Sequence, residues 1–353
     1  MLLKRWIMSA SAALVVAGGA WASADPVPPL LSRLFQPDQG EPRAALLLID
    51  GQIKARHYAP GYSDANRFIS WSMAKSVTAV LVGEMVADGK LELDAPVPFA
   101  EWQKPGDPRG SITLHQMLTM SAGLSHVEVD NQVENSDTNQ ALFVQGTDGM
   151  AAYALAKPLE AKPGEKWEYS SLTSLLLAEL VTRQLTSSTD PRVRAKAYQD
   201  YARERLFKPA GITSAVMDFD GAGTQIGGSI IYMTLDDWGR FGSLLLAGKG
   251  ADGSQAIAPD WLAFMRSSST HNPGYGGQVW LNKPQPPGES PALFPGKGPD
   301  SLFSAIGHLG QWVIVSPEQK LVLVRLGKTN DDRLQPVRDA LGATVADLEA
   351  TKS

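Results

Sequence analysis

Residues 72–89 read SMAKSVTAVLVGEMVADG, and the reading of this stretch decides the fold. Met73, Val77, Val80, Leu81 and Met85 recur at helical spacing and Gly89 follows as a stop, so the stretch predicts a buried helix from Ser72 to Asp88. Its first turn is Ser72-Met73-Ala74-Lys75. An i, i+3 spacing puts Ser72 and Lys75 on one face, within reach of each other. A serine hydroxyl is a poor nucleophile, and a desolvated neutral lysine beside it can accept its proton. The N–H groups at a helix start also favour negative charge developing on a substrate oxygen. S-x-x-K is the sole such tetrapeptide in the chain, and composition alone predicts roughly one. Taken by itself it fits an N-cap serine beside a solvated lysine better than a catalytic pair.

Outward from this helix, strands are predicted at both ends of the chain. Residues 44–49 are apolar, Asp50-Gly51 is a turn signal and 52–58 continues, which predicts a β-hairpin. Residues 312–315, a turn at 316–319 and 321–326 predict another, followed by a helix over about 331–348. Between about 95 and 220 the patterns are helical or loop, with helices expected at 114–120, 149–156, 170–185 and 195–207. Thr234 opens a further helix running to Leu246. The expected fold is α/β (α+β): one antiparallel sheet built from both chain ends, flanked by helices, with a mostly helical region inserted. Residues 25–43, with five prolines, read as an extended lead-in to a domain over 44–348. Residues 282–300 carry six prolines and three glycines and are expected to form an irregular rim or lid.

Residues 1–24 have the form of a secretory signal peptide: Lys4 and Arg5, an apolar run from Trp6 to Trp21, then Ala22-Ser23-Ala24. Ser9, Ser11, Gly18 and Gly19 dilute that run below what a membrane anchor needs. Cleavage after Ala24 would leave about 329 residues with a charge near −7, and no stable membrane insertion. Cysteine is absent, which excludes thiol catalysis, disulfides and a cysteine-linked lipid anchor, and fits a periplasmic or secreted protein. A hydrophobic share of 43% marks a globular chain, and a net charge of −5 lacks the footprint of a nucleic-acid binder.

Other nucleophile and metal patterns are missing. There is no G-x-S-x-G elbow and no H-E-x-x-H, and His57, His115, His126, His271 and His308 are scattered without metal-ligand spacing. Neither metal nor cofactor is expected. His57 is expected to be exposed, His115 to be structural, and Tyr153 and Tyr275 to belong to the aromatic core. Two later segments complement Ser72 and Lys75. Tyr169-Ser170-Ser171 precedes a predicted helix, where a tyrosine held between cations could ionise more easily and serve as a base. His308-Leu309-Gly310-Gln311 enters the first C-terminal strand, where a glycine lets substrate approach the strand edge.

In order and at these separations, the three segments resemble the serine β-lactamase and penicillin-binding-protein superfamily. They look most like its class C β-lactamase-related hydrolases, which include esterases and 6-aminohexanoate-dimer hydrolases. The segments ITLHQML at 112–118, SAGL at 121–124 and DGKLELD at 88–94 share the family's look, so the resemblance runs over about 44–345. It implies that Ser72 attacks a carbonyl carbon, with Lys75 and Tyr169 as base and proton shuttle and the N–H groups of Ser72 and Gln311 holding the oxyanion. Ser171 stands where the β-lactamase pattern has asparagine, and His308 where it has lysine. Ser171, His308, Gly310 and Gln311 are therefore expected around the substrate, and an ester or small amide is favoured over a β-lactam. The rivals are a β-lactamase or D-alanyl carboxypeptidase, and a non-catalytic binder of cell-wall fragments.

Overall fold

The strand Glu41–Ile49 (β1) sends Ala44, Leu46 and Leu48 to one side and Ala45 and Leu47 to the other, and all five are buried. A strand apolar on both faces belongs inside a sheet covered on both sides. The computed structural model describes residues 25–350 and builds that sheet. β1 turns through Asp50 and Gly51 into Gln52–Tyr58 (β2). Phe68–Ile69 (β3), Val216–Met217 (β4) and Ile231–Met233 (β5) form a small separate sheet ordered β3-β5-β4. Trp280–Leu281 (β6), Phe303–Gly307 (β7), Gln311–Ser316 (β8) and Leu321–Lys328 (β9) complete the main sheet. Its order is β2-β1-β9-β8-β7-β6, antiparallel throughout, so the two chain ends meet where Leu46 faces Val324.

The helices follow from where their apolar faces go. Ala74–Ala87 (α1) is buried along almost its whole length, so a charged residue on it is held out of water. Leu114–Leu118 (α2), Asp137–Phe143 (α3), Met150–Leu155 (α4), Ser171–Leu185 (α5) and Pro191–Ala202 (α6) make the inserted helical region. Leu235–Ala247 (α7) covers the sheet face that carries Leu46, Val313, Val322 and Val324, and Pro259–Met265 (α8) joins the same core. Leu334–Ala350 (α9) covers the opposite face with Val337, Leu341 and Val345.

Several expectations are revised. Residues 25–43 are not an extended lead-in, because Pro29–Phe35 and Pro37–Gln39 form 3-10 turns and β1 already begins at Glu41. Leu31 and Leu34 are fully buried with α9, and burying each is worth about 1.5–3 kcal/mol, which holds the turns down. His57 is buried rather than exposed, its ring edge-on to Phe35 at 4.6 Å. The helix expected from 195 begins at Pro191, where the Asp190 carboxylate accepts from the Arg192 N–H, and ends in a π turn over Arg203–Phe207. β7 was not anticipated. The signal-peptide segment 1–24 lies outside the described residues. Among the described residues, no helix is long and apolar enough to cross a membrane.

Candidate active site

Ser72 lies in a 3-10 turn, Trp71–Met73, that feeds α1. The turn is pinned from below. Ser70 donates its N–H to the Ile231 carbonyl at 2.7 Å and its hydroxyl to the Ser229 carbonyl at 3.2 Å, and accepts the Ile231 N–H at 3.0 Å. Trp71 takes a φ of 43°, a region that costs a bulky residue about 1–3 kcal/mol and persists only where its surroundings enforce it.

Lys75 stands one turn further on and is fully buried. Its Nζ donates to Ser72 Oγ at 3.1 Å, Ser171 Oγ at 2.8 Å and the Gly228 carbonyl at 2.8 Å, which places all three ammonium protons. Packing of α1 on α5 brings Lys75 to Ser171, the first residue of α5. Burial lowers the Lys75 pKa to about 8, against an opposing pull from Glu128. The Tyr169 hydroxyl faces Ser72, and Lys75 Nζ lies 4.8 Å from the centre of the Tyr169 ring. Burial, with the Glu128 charge added, pushes the Tyr169 phenol above its ordinary range. The expectation of an easily ionised tyrosine between cations is therefore corrected: this phenol stays protonated at neutral pH.

Glu128 was not anticipated at all. Its carboxylate accepts the Ser171 hydroxyl at 2.6 Å and the Ser171 N–H at 2.8 Å, and also contacts His126 Nε2 at 2.6 Å and the Thr138 hydroxyl at 3.0 Å. Burial alone would raise this carboxyl; His126, Lys75 and Ser171 together outweigh it and hold the group at about 2. A hydrogen-bonded line thus runs from Ser72 through Lys75 and Ser171 to Glu128. Ser171, expected at the substrate, borders the cavity but commits its hydroxyl to this line. An acid set between Val127 and Val129 was the one local hint in the sequence.

The C-terminal motif is placed differently from expectation. His308-Leu309-Gly310 is the turn between β7 and β8, not part of a strand. The His308 ring borders the cavity, edge-on to Trp71 at 5.3 Å, with Nδ1 2.8 Å from Asp331 Oδ2. Gln311 opens β8 opposite Gly307, and its side chain is spent on the carbonyls of His308, Leu309 and Gly327. It borders a different hollow, with Arg43 and Tyr62. Gly310 is bare for packing, not for substrate: a β-carbon there would come within 2.5 Å of the Arg325 guanidinium. The glycine beside Ser72 is Gly307, where a β-carbon would lie 2.1 Å from the Ser70 carbonyl oxygen.

Ser72, Glu128, Tyr169, Ser171, Gly307 and His308 border a cavity of about 420 Å³. Trp71, Tyr169, Trp280 and Trp312 give it aromatic walls, and Ala292 of the proline-rich segment reaches its edge. Tyr275 is buried behind it, against Tyr169 and Trp280, while Tyr153 binds Asp137 outside it. His115 packs beside Phe264. A second hollow of about 520 Å³ contains the ion pairs Arg183–Glu101 and Arg194–Glu179 and none of the Ser72 set. Among the described residues, no three His, Asp or Glu side chains gather as metal ligands.

The family described as Beta-lactamase matches residues 31–347 of this chain. The 6-aminohexanoate-dimer hydrolase of Paenarthrobacter ureafaciens is 25% identical over 227 residues, covering 62% of this chain and 55% of that protein. The protein PbpX of Bacillus subtilis (strain 168) is 25% identical over 182 residues, covering 48% of this chain and 40% of PbpX. The chain therefore spans about half the length of these two relatives. Among solved structures, a Bacillus anthracis protein provisionally described as a 6-aminohexanoate-dimer hydrolase superposes with a TM-score of 0.71 at 18% identity, covering 94% of this chain and 84% of that one.

Proposed function

This chain belongs to the beta-lactamase family, and on that premise we propose that it cleaves an ester or small amide through an acyl-enzyme on Ser72. The observation that carries the reading is the buried Lys75 Nζ bound at once to Ser72, Ser171 and Gly228. With a pKa of about 8, roughly one lysine in ten is neutral at pH 7. Neutral Lys75 takes the Ser72 proton as Oγ bonds to the carbonyl carbon. Tyr169 gives its phenolic proton to the leaving alcohol or amine and is reprotonated from Lys75. Water then attacks the acyl carbon with Lys75 as base, and Ser72 regains its proton. The N–H groups of Ser72 and His308 are the oxyanion donors in this reading, in place of Gln311. Both residues border the cavity, and among the described residues neither N–H has a hydrogen-bond acceptor.

One observation favours a second reading. Arg338 borders the cavity with no carboxylate partner among the described residues, so it could receive the carboxylate of a β-lactam or a D-alanyl peptide. A fluorophosphonate should label the native protein at Ser72 and leave Ser72→Ala untouched; a folded, unlabelled protein refutes the acyl-enzyme. Turnover of p-nitrophenyl acetate or a linear aminohexanoate amide above that of a chromogenic cephalosporin supports the first reading, and the reverse order supports the second. The proposal includes export with residues 1–24 as a cleaved signal. Protein recovered from the periplasm should begin at Asp25, and mature protein retaining Met1 would refute this part.

A further inference from the structure

The segment 127–144, at the mouth of the Ser72 cavity, carries large apolar side chains on the surface. Nine large apolar side chains stand exposed among the described residues, and five of them fall here: Val127, Val129, Val133, Phe143 and Val144. Three polar residues of the same stretch turn inward, while Asp130, Asn131, Gln132, Glu134 and Asn135 are exposed. Glu128 binds Ser171 and His126, Ser136 donates its hydroxyl to the Glu128 carbonyl at 2.7 Å, and the Asp137 carboxylate accepts the Val127 N–H at 2.9 Å. Apolar surface gathered in one patch marks a binding surface.

The position of the patch names its occupant. Val129, which is 81% exposed, and Phe143 belong both to the patch and to the cavity wall, where Leu142 joins them. Apolar side chains of this segment thus line the cavity that holds Ser72 and are exposed to the outside at its edge. We infer that residues 127–144 bind an unbranched hydrocarbon chain of the substrate, one too long to be enclosed by the cavity. The inference rests on the acyl-enzyme reading and narrows it to amphiphilic esters or amides. The Glu128 contacts give the surface a fixed base, so the loop stands ready before the chain arrives.

The test measures kcat/KM along two series, p-nitrophenyl esters from acetate to decanoate and alkyl acetates from ethyl to decyl. A methylene that leaves water fully contributes about fourfold. Partial burial on an open surface should still raise kcat/KM at least tenfold along one series. The double variant Val129→Asn, Phe143→Asn should cut the ratio of long-chain to short-chain kcat/KM at least fivefold. Val193→Asn, an exposed valine on α6, should leave that ratio unchanged. The rate of Ser72 labelling by decyl against ethyl fluorophosphonate should follow the same ratios without needing turnover.

Flat series from a protein that labels at Ser72 overturn the inference and leave the acyl-enzyme standing. So does a dimer that the double variant dissolves, because a second copy then covers the patch. Vesicles of phosphatidylglycerol that sediment the native protein but not the double variant, with no chain-length preference, also overturn it. Absence of labelling and of all ester turnover instead removes the functional reading beneath it.

Discussion

Glu128→Gln takes one charge out of the site and leaves a side chain of nearly the same shape. Lys75 Nζ and Glu128 Oε1 bind the same Ser171 hydroxyl at 2.8 and 2.6 Å, which places the two charges about 5 Å apart. At an effective dielectric of about 20, a unit pair at that distance interacts by about 3 kcal/mol. That corresponds to about 2 pH units, and the share of Glu128 facing water brings the expectation to between about 1 and 2. Glu128 supports the charged lysine against burial, so removing it should move Lys75 from about 8 down to about 6–7. The sign follows from the role of the neutral amine as base. Activity of the native protein should rise with pH through about 8, and that of Glu128→Gln through about 6–7. The assay is the pH profile of kcat/KM for a p-nitrophenyl ester from pH 5 to 9.5, with the rate of Ser72 labelling followed in parallel. The maximum rate should fall as well, because Gln returns one acceptor where the Ser171 hydroxyl and N–H used two. Glu128→Asp, which keeps the charge, should hold the inflection near 8. An inflection in Glu128→Gln that stays at 8 or rises would refute both the coupling and the assignment of Lys75 as base.

Tyr169→Phe should lower kcat about 10²–10⁴-fold with little change in KM, since the phenol moves a proton and does not anchor substrate; an unchanged kcat for a poor leaving group rules out the shuttle. Gly307→Ala should cost about 1–3 kcal/mol in a urea titration and slow Ser72 labelling, because its β-carbon would meet the Ser70 carbonyl at 2.1 Å. Full stability with native labelling would show that this close approach is unimportant. The Glu128 carboxyl, at about 2 in the fold against an ordinary 4.5, adds stability that is complete above about pH 5 and lost as pH falls toward 2. The stability gap between the native protein and Glu128→Gln should accordingly narrow by up to about 3 kcal/mol from pH 6 to pH 2.5; a constant gap contradicts the depressed carboxyl.

The parts of this site legible in the sequence are those whose geometry is local. Ser72 and Lys75 sit within one helical turn, so their spacing alone brings them together, and Tyr169 with Ser171 opens the helix that packs beside them. Glu128 was not legible. It meets Ser171 across 43 residues of sequence, and one acid in a loop carries no periodicity that predicts its partner. The C-terminal hairpin was legible as a hairpin and misread in register. With Gly307 opposite Gln311, the residues facing Ser72 are Gly307 and His308, three to four positions before the expected Gln311. Register flips which groups face a site, and without the unanticipated strand β7 the sequence had nothing to set it.

Hydrophobic periodicity and the order of short motifs thus determined a sheet built from both chain ends, a helical insert and a serine–lysine pair within one helical turn. These features depend on spacing along the chain, and spacing is what a sequence states. Tertiary structure alone decided that Lys75 loses all contact with water, that Tyr169 keeps its proton and that Glu128 anchors the far end of the line. It also decided that Val127 and Val129 stand exposed on either side of Glu128, with Val129 at the cavity wall. Each of these depends on burial and on the charge that neighbours it, and both arise only when segments distant in sequence close around one another.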